Sequence, residues 1–235
     1  MRRPPSWSAI VVAAGRGTRF GRPKQLLEIA GTPMLAWSVR ALAEMPEIDS
    51  VIVVTEGEWL SEIAVVAQSA GGTKCSAVVP GGATRQASVY EGLRAVAQGC
   101  DAVLVHDGAR PLINAEIVRS GMQIIGDGYA SLLAVPVVDT VKIVEPHSRI
   151  VKETSPRERL WAAQTPQFAT LADIRLAHET ARRDHFSATD DAMLLERIGV
   201  TVQIVPGSPD NFKVTLPEDL ARAEDILRRR FADAR

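Results

Sequence analysis

The stretch IVVAAGRGTRFGRPKQLL, from Ile10 to Leu27, starts as an apolar run and breaks into glycines and positive charge. Between Gly15 and Lys24 stand three glycines, three arginines, one lysine and no acid. Glycine lets backbone N–H groups come close to anionic oxygens, and guanidinium groups bind such oxygens in pairs. A buried strand that delivers this turn places its cations at the strand's carboxyl end, where open α/β sheets bind their ligands. The chemistry that fits is polyphosphate. The plain alternative is a solvated loop whose arginines only keep the chain soluble, and the lack of any acid in the loop weighs against it.

Working outward, the same alternation recurs. Apolar runs at 8–14, 50–55, 76–80, 101–106, 130–138 and 200–205 read as strands. Several are apolar at consecutive positions, as strands covered on both faces are. Helical patterns lie between them. Thr32-Pro33 reads as a cap and first-turn pair, followed by a stripe of Met34, Trp37, Ala41 and Met45. Val89, Leu93 and Val96 form a second stripe, and Leu220, Ala223, Leu227 and Phe231 a third. The last helix opens on Pro217-Glu218-Asp219 and closes on Arg228-Arg229-Arg230, complementing its dipole at both ends. The expected fold is α/β, a Rossmann-like, mostly parallel sheet with helices on both faces. The loops at 15–24, 80–85, 106–111 and 206–213 each follow a strand, so they can converge on one site. One domain is expected over residues 1–235, with no second catalytic domain after the last helix.

The segment TVKIVEPHSRIVKET (140–154) breaks this rhythm and reads as two strands around a turn at Pro146–Arg149. A two-stranded hairpin is marginal in water by itself. Either its own domain or a second copy of the chain must cover it.

Bulk properties exclude several classes. A net charge of −1 gives no basis for nucleic-acid or anionic-membrane binding. Cys75 and Cys100 form no C-x-x-C pair, which suits a reducing cytoplasm. The four histidines lack zinc-ligand spacing. No apolar run is long enough to span a membrane, and the basic leader MRRPPSWS is followed by a strand rather than a signal-peptide core.

The glycine loop is not a Walker motif, because Arg22-Pro23-Lys24 follows Gly21 where Lys-Ser/Thr is needed. Nor is it a clean G-x-G-x-x-G, since Phe20 holds the sixth position. A dinucleotide site also wants an acid about 20 residues on, and Glu56 stands roughly twice as far. An NAD(P)-dependent oxidoreductase is therefore the weaker reading. A nucleotide-binding protein without turnover is another.

AAGRGTRFGRPKQ, with PGGATRQASV (80–89), HDGARP (106–111) and DNFKVTLPEDL (210–220), resembles the 2-C-methyl-D-erythritol 4-phosphate cytidylyltransferases, within the GT-A-like nucleotidyltransferases. The likeness runs from residue 8 to about 230. The first motif marks only the wider superfamily, and the four together are selective. A ribitol-5-phosphate cytidylyltransferase shares the glycine loop and an Asp-x-x-Arg-Pro stretch, and is the nearest rival.

The resemblance implies attack by a sugar-alcohol phosphate on the α-phosphate of CTP, with loss of pyrophosphate and a divalent cation, Mg²⁺ or another, as cofactor. It implies that Arg19 and Lys24 are catalytic, while Arg16 and Arg22 fall outside the family's catalytic positions. Ala13, Ala14, Gly15, Gly17, Gly81, Gly82, Arg85 and Ser88 would bind the nucleotide, although Ser88 also reads as an ordinary first-turn serine. Asp107 would be a metal ligand or meet the ribose or acceptor, and Asp210 would be a second metal-side carboxylate. Arg110 would hold its loop or meet the acceptor, which Thr140, Arg157, Thr165 and Lys213 would also contact. The family's usual alanine is Gly108 here, expected to loosen that turn slightly. His106 and the Thr189-Asp190-Asp191 run read as structural, the latter as a helix cap. A β-arm at about 139–160 would cross to a partner in a homodimer, so that each site is completed in trans.

Overall fold

Trp7–Val12 forms β1, buried at every position but Val12. It sits inside a sheet covered on both faces, which its run of apolar residues requires. The computed structural model describes residues 3–15, 23–126 and 128–233. Arg16, Gly17, Arg19 and Arg22 lie outside the described residues.

Next come the small hairpin β2 (Glu28–Ile29) and β3 (Thr32–Pro33), then α1 (Met34–Ala43), β4 (Ile48–Thr55), α2 (Leu60–Gly71) and β5 (Cys75–Pro80). They are followed by α3 (Arg85–Ala95), β6 (Ala102–Asp107), α4 (Ala115–Met122) and β7 (Tyr129–Pro136). The short strands β8 (Lys142–Val144) and β9 (Val151–Thr154) pair antiparallel as a separate arm. The chain continues through β10 (Trp161–Thr170), α5 (Leu171–Arg183), α6 (Asp191–Arg197), β11 (Thr201–Pro206) and α7 (Pro217–Asp233). The main sheet has the order β11-β7-β10-β6-β1-β4-β5. Its pairings are parallel except those that β10 makes with β6 and β7.

Alternate side chains of β1 enter different cores. Ala9 and Val11 pack with Leu35 and Leu42 of α1, Ile63 of α2 and Val118 of α4. Ile10 packs with Leu93 of α3, Ile174 of α5 and Leu194 of α6. Each large side chain so buried contributes roughly 1.5–3 kcal/mol. A third cluster joins α7, through Ala223, Ile226 and Leu227, to Ile29, Met34 and Val214. This docks the segment after β11 beside Lys24.

The parallel strands fall where the apolar runs lie, but β10 does not announce itself. Its sequence, WAAQTPQFAT, carries Gln164, Thr165, Pro166 and Gln167 in its interior. The polar side chains are buried and hydrogen-bonded, so they escape a search for apolar runs. The start of α1 also differs from expectation. Thr32 and Pro33 are strand residues, and Pro33 is the N-cap without a side-chain bond. The buried residues of α1 are Met34, Leu35, Ala36, Ser38, Val39 and Leu42, a wider face than the expected stripe, because α1 is covered by the sheet and by α2 as well as by α7. Phe231 is 50% exposed, although its ring lies against Trp37 with centroids 5.5 Å apart.

Gly121 in α4 faces the ring of Phe168 on β10, and a Cβ there would overlap the ring. Gly121→Ala should therefore destabilise the fold by roughly 1–3 kcal/mol, as overpacked cores do. Urea unfolding checks this: a lower midpoint at unchanged slope is expected, and an unchanged midpoint would contradict the packing.

Candidate active site

The carboxyl ends of β1, β5, β6 and β11 open onto one cleft. It is a cavity of about 230 Å³ lined by Ala14, Gly15, Lys24, Arg85, Ser88, Asp107 and Lys213, among others. A neighbouring cavity of about 330 Å³ shares Ala14 and Arg85 and is walled by Glu56, Gly57 and the turn Gly81–Thr84. One compartment is rich in cations and the other in glycine backbone.

The turn after β5 is built for close approach. Gly81 N–H donates to Thr55 O at 2.7 Å. A Cβ on Gly81 would come within 2.6 Å of Ser88 Oγ and 2.9 Å of Ala14 Cβ, and one on Gly82 within 2.5 Å of Ala87 Cβ. Only glycine fits both places. Thr84 then caps α3 by accepting from Ala87 N–H at 3.0 Å. Ser88 donates to Thr84 O at 2.9 Å and its hydroxyl accepts from Gly82 N–H at 3.2 Å. Ser88 thus fastens the glycine turn while lining the cleft.

Asp107 ends β6 and is held from three sides. Arg85 Nε donates to Oδ1 at 3.1 Å and Lys213 Nζ to Oδ2 at 2.8 Å, while Arg110 Nε lies 3.9 Å from Oδ2. Burial alone would push its carboxyl up. The charges of Arg85, Lys213 and Arg110 outweigh burial and hold it well below the usual carboxylate range. The charges that neutralise this carboxylate in the structure are protein side chains. Burial likewise opposes the charge on Arg85, but Asp191 and Asp107 raise it above its ordinary value.

Lys24, half-buried, donates from Nζ to Val214 O at 2.8 Å. This ties the exit of the glycine loop to the segment carrying Lys213. Lys24 and Lys213 thus come into one cleft from positions far apart in sequence.

Several expected residues sit behind the cleft. Arg110 donates from Nη1 to Asn211 O at 2.6 Å and keeps only 12% of its side chain exposed. Of its two expected roles, the structure displays loop holding. Thr165 is buried; its Oγ1 accepts from Asp107 N–H at 3.0 Å and lies 3.1 Å from His106 Nδ1. From there its hydroxyl braces the end of β6 beneath Asp107. His106 is fully buried between Thr165 and Arg110 O. Burial pushes its imidazole down to about 4, against the pull of Asp107. At neutral pH it is an uncharged strut, as expected. Gly108 packs closely as well: a Cβ there would lie 3.0 Å from Leu35 Cδ1 and 3.3 Å from Val12 O.

Thr140 and Arg157 lie at the foot of the arm, exposed, with Arg157 Nη1 donating to Val138 O at 2.9 Å. Neither lines the cleft of its own chain. Asp210 pairs with Arg230 at 3.7 Å, and it too is not a lining residue. Both oxygens of Asp107 already accept from cations, and no group of three or more acids, histidines or cysteines could hold a metal among the described residues. The described side chains do not fit a protein-built metal cage.

Sequence reading missed two supporting residues and the partner of a third. Asn211 donates from Nδ2 to Thr165 O at 2.8 Å, and Gln164 Nε2 donates to Ser208 O at 2.8 Å, bracing the 206–214 loop against β10. Asp191 is 1% exposed and accepts from Arg85 Nη1 at 2.8 Å. Asp190 performs the capping expected of this run, accepting from Met193 N–H at 3.0 Å. The only sequence signal for the three was their position inside or beside the motifs.

Comparison with known proteins follows the same outline. The family profile described as 2-C-methyl-D-erythritol 4-phosphate cytidylyltransferase matches residues 7–229. A relative of that name from Alkaliphilus oremlandii is 42% identical over 228 residues, covering 95% of each chain. Another from Pelotomaculum thermopropionicum is 43% identical, covering 95% of this chain and 94% of its own. Among solved structures, the 4-diphosphocytidyl-2C-methyl-D-erythritol synthase of Anaerococcus prevotii superposes with a TM-score of 0.83 at 28% identity, covering 96% of this chain and 97% of that one. The cytidylyltransferase of Thermus thermophilus does so at 0.73 and 33%, covering 95% and 99%.

Proposed function

The chain belongs to the 2-C-methyl-D-erythritol 4-phosphate cytidylyltransferase family, and from that membership we propose how its residues divide the work. It is a CTP-dependent nucleotidyltransferase that joins CTP and 2-C-methyl-D-erythritol 4-phosphate, releasing pyrophosphate, in non-mevalonate isoprenoid biosynthesis. The oxidoreductase reading falls with this membership.

The acceptor phosphate arrives ionised, so the reaction needs no strong general base. One of its oxygens forms a bond to the α-phosphorus as the bond to the β-phosphate oxygen breaks, and pyrophosphate carries away the electron pair. The obstacle is the meeting of two anions. Preorganised cations lower it, because they need no reorganisation as charge builds at phosphorus. The observation that carries this reading is the joining of Lys24 and Lys213 in one cleft around an Asp107 already clamped by Arg85.

The cytosine base lies against the Gly81–Gly82 turn, with Ala13, Ala14, Gly15 and Ser88 around the nucleotide. Lys24, with Arg19, grips the triphosphate. Lys213 meets the acceptor phosphate, and Asp107 the ribose or acceptor hydroxyls. A divalent cation, Mg²⁺ first, enters with the nucleotide, since such ions bind mainly through substrate phosphates and one or two carboxylates.

Thr140 and Arg157 serve the partner's cleft in a homodimer with exchanged arms. The support is the apolar surface of the arm and its approach: Val138 is 80% exposed and Ile150 62%, with Ile143, Val144 and Val151 also uncovered. A patch of this kind marks an interaction surface. The two free cysteines fit a cytoplasmic setting. No described helix is long and apolar enough to cross a membrane.

Pyrophosphate release tests the substrate assignment when CTP, ATP, GTP and UTP are each paired with methylerythritol phosphate and with ribitol 5-phosphate. Release is expected with CTP and methylerythritol phosphate above all other pairs. Preference for ribitol phosphate, or for a purine nucleotide, would overturn it.

A further inference from the structure

His178 is buried in α5 with 0% exposure, outside the cleft, and nothing in the chemistry above uses it. Its Nε2 lies 3.0 Å from Asp191 Oδ1, and its Nδ1 has no hydrogen-bond partner. In the neutral ring, the tautomer with the proton on Nε2 gives Asp191 its hydrogen bond and leaves only a lone pair unpaired, which costs less than a buried N–H without an acceptor. The other oxygen of Asp191 accepts from Arg85 Nη1 at 2.8 Å. Arg85 Nε reaches Asp107 Oδ1 at 3.1 Å, and Lys213 reaches the second Asp107 oxygen at 2.8 Å. Four contacts thus run from the back of α5 to the cation of the cleft.

We propose that His178 is a positioning residue for nucleotidyl transfer: it fixes the Asp191 carboxylate, which orients the Arg85 guanidinium, which in turn sets Asp107 and Lys213 at the reacting groups. Arg85 spans two carboxylates, and its planar fork transmits orientation as well as charge. With His178 in place, Asp191 can turn only one oxygen to Arg85. Without it, the carboxylate is free to rotate toward both guanidinium nitrogens and draw Arg85 away from Asp107. Tyr90, its ring centroid 6.5 Å from that of His178, and Arg182 over the Tyr90 face at 4.1 Å lie on the outer side of the imidazole.

The inference rests on assigning the cleft to the two substrates, so the test carries a control for that assignment. His178→Gln keeps a nitrogen donor near the Nε2 position, His178→Asn places its amide near Nδ1, and His178→Phe keeps ring volume without a donor. Steady-state constants for both substrates and melting curves are measured on each full-length variant, alongside Lys213→Ala. Misplacement of a reacting group by about 1 Å costs roughly 100-fold. Asn and Phe should therefore lower kcat by roughly 10–100-fold with KM for CTP changed far less, and Gln should restore it. If Phe does not fold, the Asn and Gln pair decides. Equal kcat in Asn and Gln, whether normal or impaired, overturns the positioning role in favour of packing alone. A disabled Lys213→Ala beside a normal His178→Asn rejects the inference but keeps the cleft; an active Lys213→Ala rejects both.

Discussion

Lys24→Ala is expected to lower turnover by roughly 100–1000-fold, the usual cost, about 2.7–4 kcal/mol, of removing one preorganised donor from a site of charge development. Lys24 is half-buried at the mouth of a cleft that also holds Arg85 and Lys213. Its ammonium is held on Val214 O, so the charge is in place before substrate arrives. Arg19→Ala should fall as far, because the family resemblance puts it on the same triphosphate. Arg16→Ala should stay close to wild type, although it removes the same charge from the same loop. The contrast separates a specific grip from bulk electrostatics. Pre-steady-state and steady-state kinetics at saturating substrates check it. A severe Arg16→Ala defect beside a mild Lys24→Ala defect would reverse the assignment.

Mixing Arg157→Ala chains with Lys213→Ala chains should recover activity that neither has alone. Each pure variant disables both of its sites. If the arm crosses the dimer, a hybrid carries one site with both lesions and one with neither. Random pairing of equal amounts makes about half the dimers hybrid, so about a quarter of wild-type activity should return by symmetry alone. Exchange under mild denaturant followed by assay of the mixture measures this. The exposed foot of the arm, where Arg157 binds Val138 O without lining its own cleft, motivates the test. A mixture no more active than its components would place both residues in one chain's site.

Much of the fold was legible because parallel strands buried on both faces must be apolar throughout, and β6, with all six residues buried, is the clearest case. The glycine turns were legible for a different reason: backbone must approach a ligand or a neighbour there, and at Gly81 and Gly82 nothing larger fits. Strand β10 was hidden because its buried Gln164, Thr165 and Gln167 are satisfied by partners elsewhere in the chain. Asp191 and His178 were obscured in the same way. Thr189-Asp190-Asp191 displays a capping pattern locally, and Asp190 fulfils it, but the Asp191 contact with Arg85 spans 106 residues and depends on how α5 and α6 pack on α3. Polar residues that act by pairing across the fold leave no periodic trace.

The most direct measurement is a crystal structure of the protein with CTP bound. The triphosphate should lie against Lys24, at the carboxyl end of β1, with the cytosine edge against the Gly81–Gly82 turn and Lys213 left for the acceptor phosphate. A triphosphate bound away from Lys24 and the Gly15 turn, with the cleft around Asp107 unchanged, would contradict the claim that these cations carry the transfer.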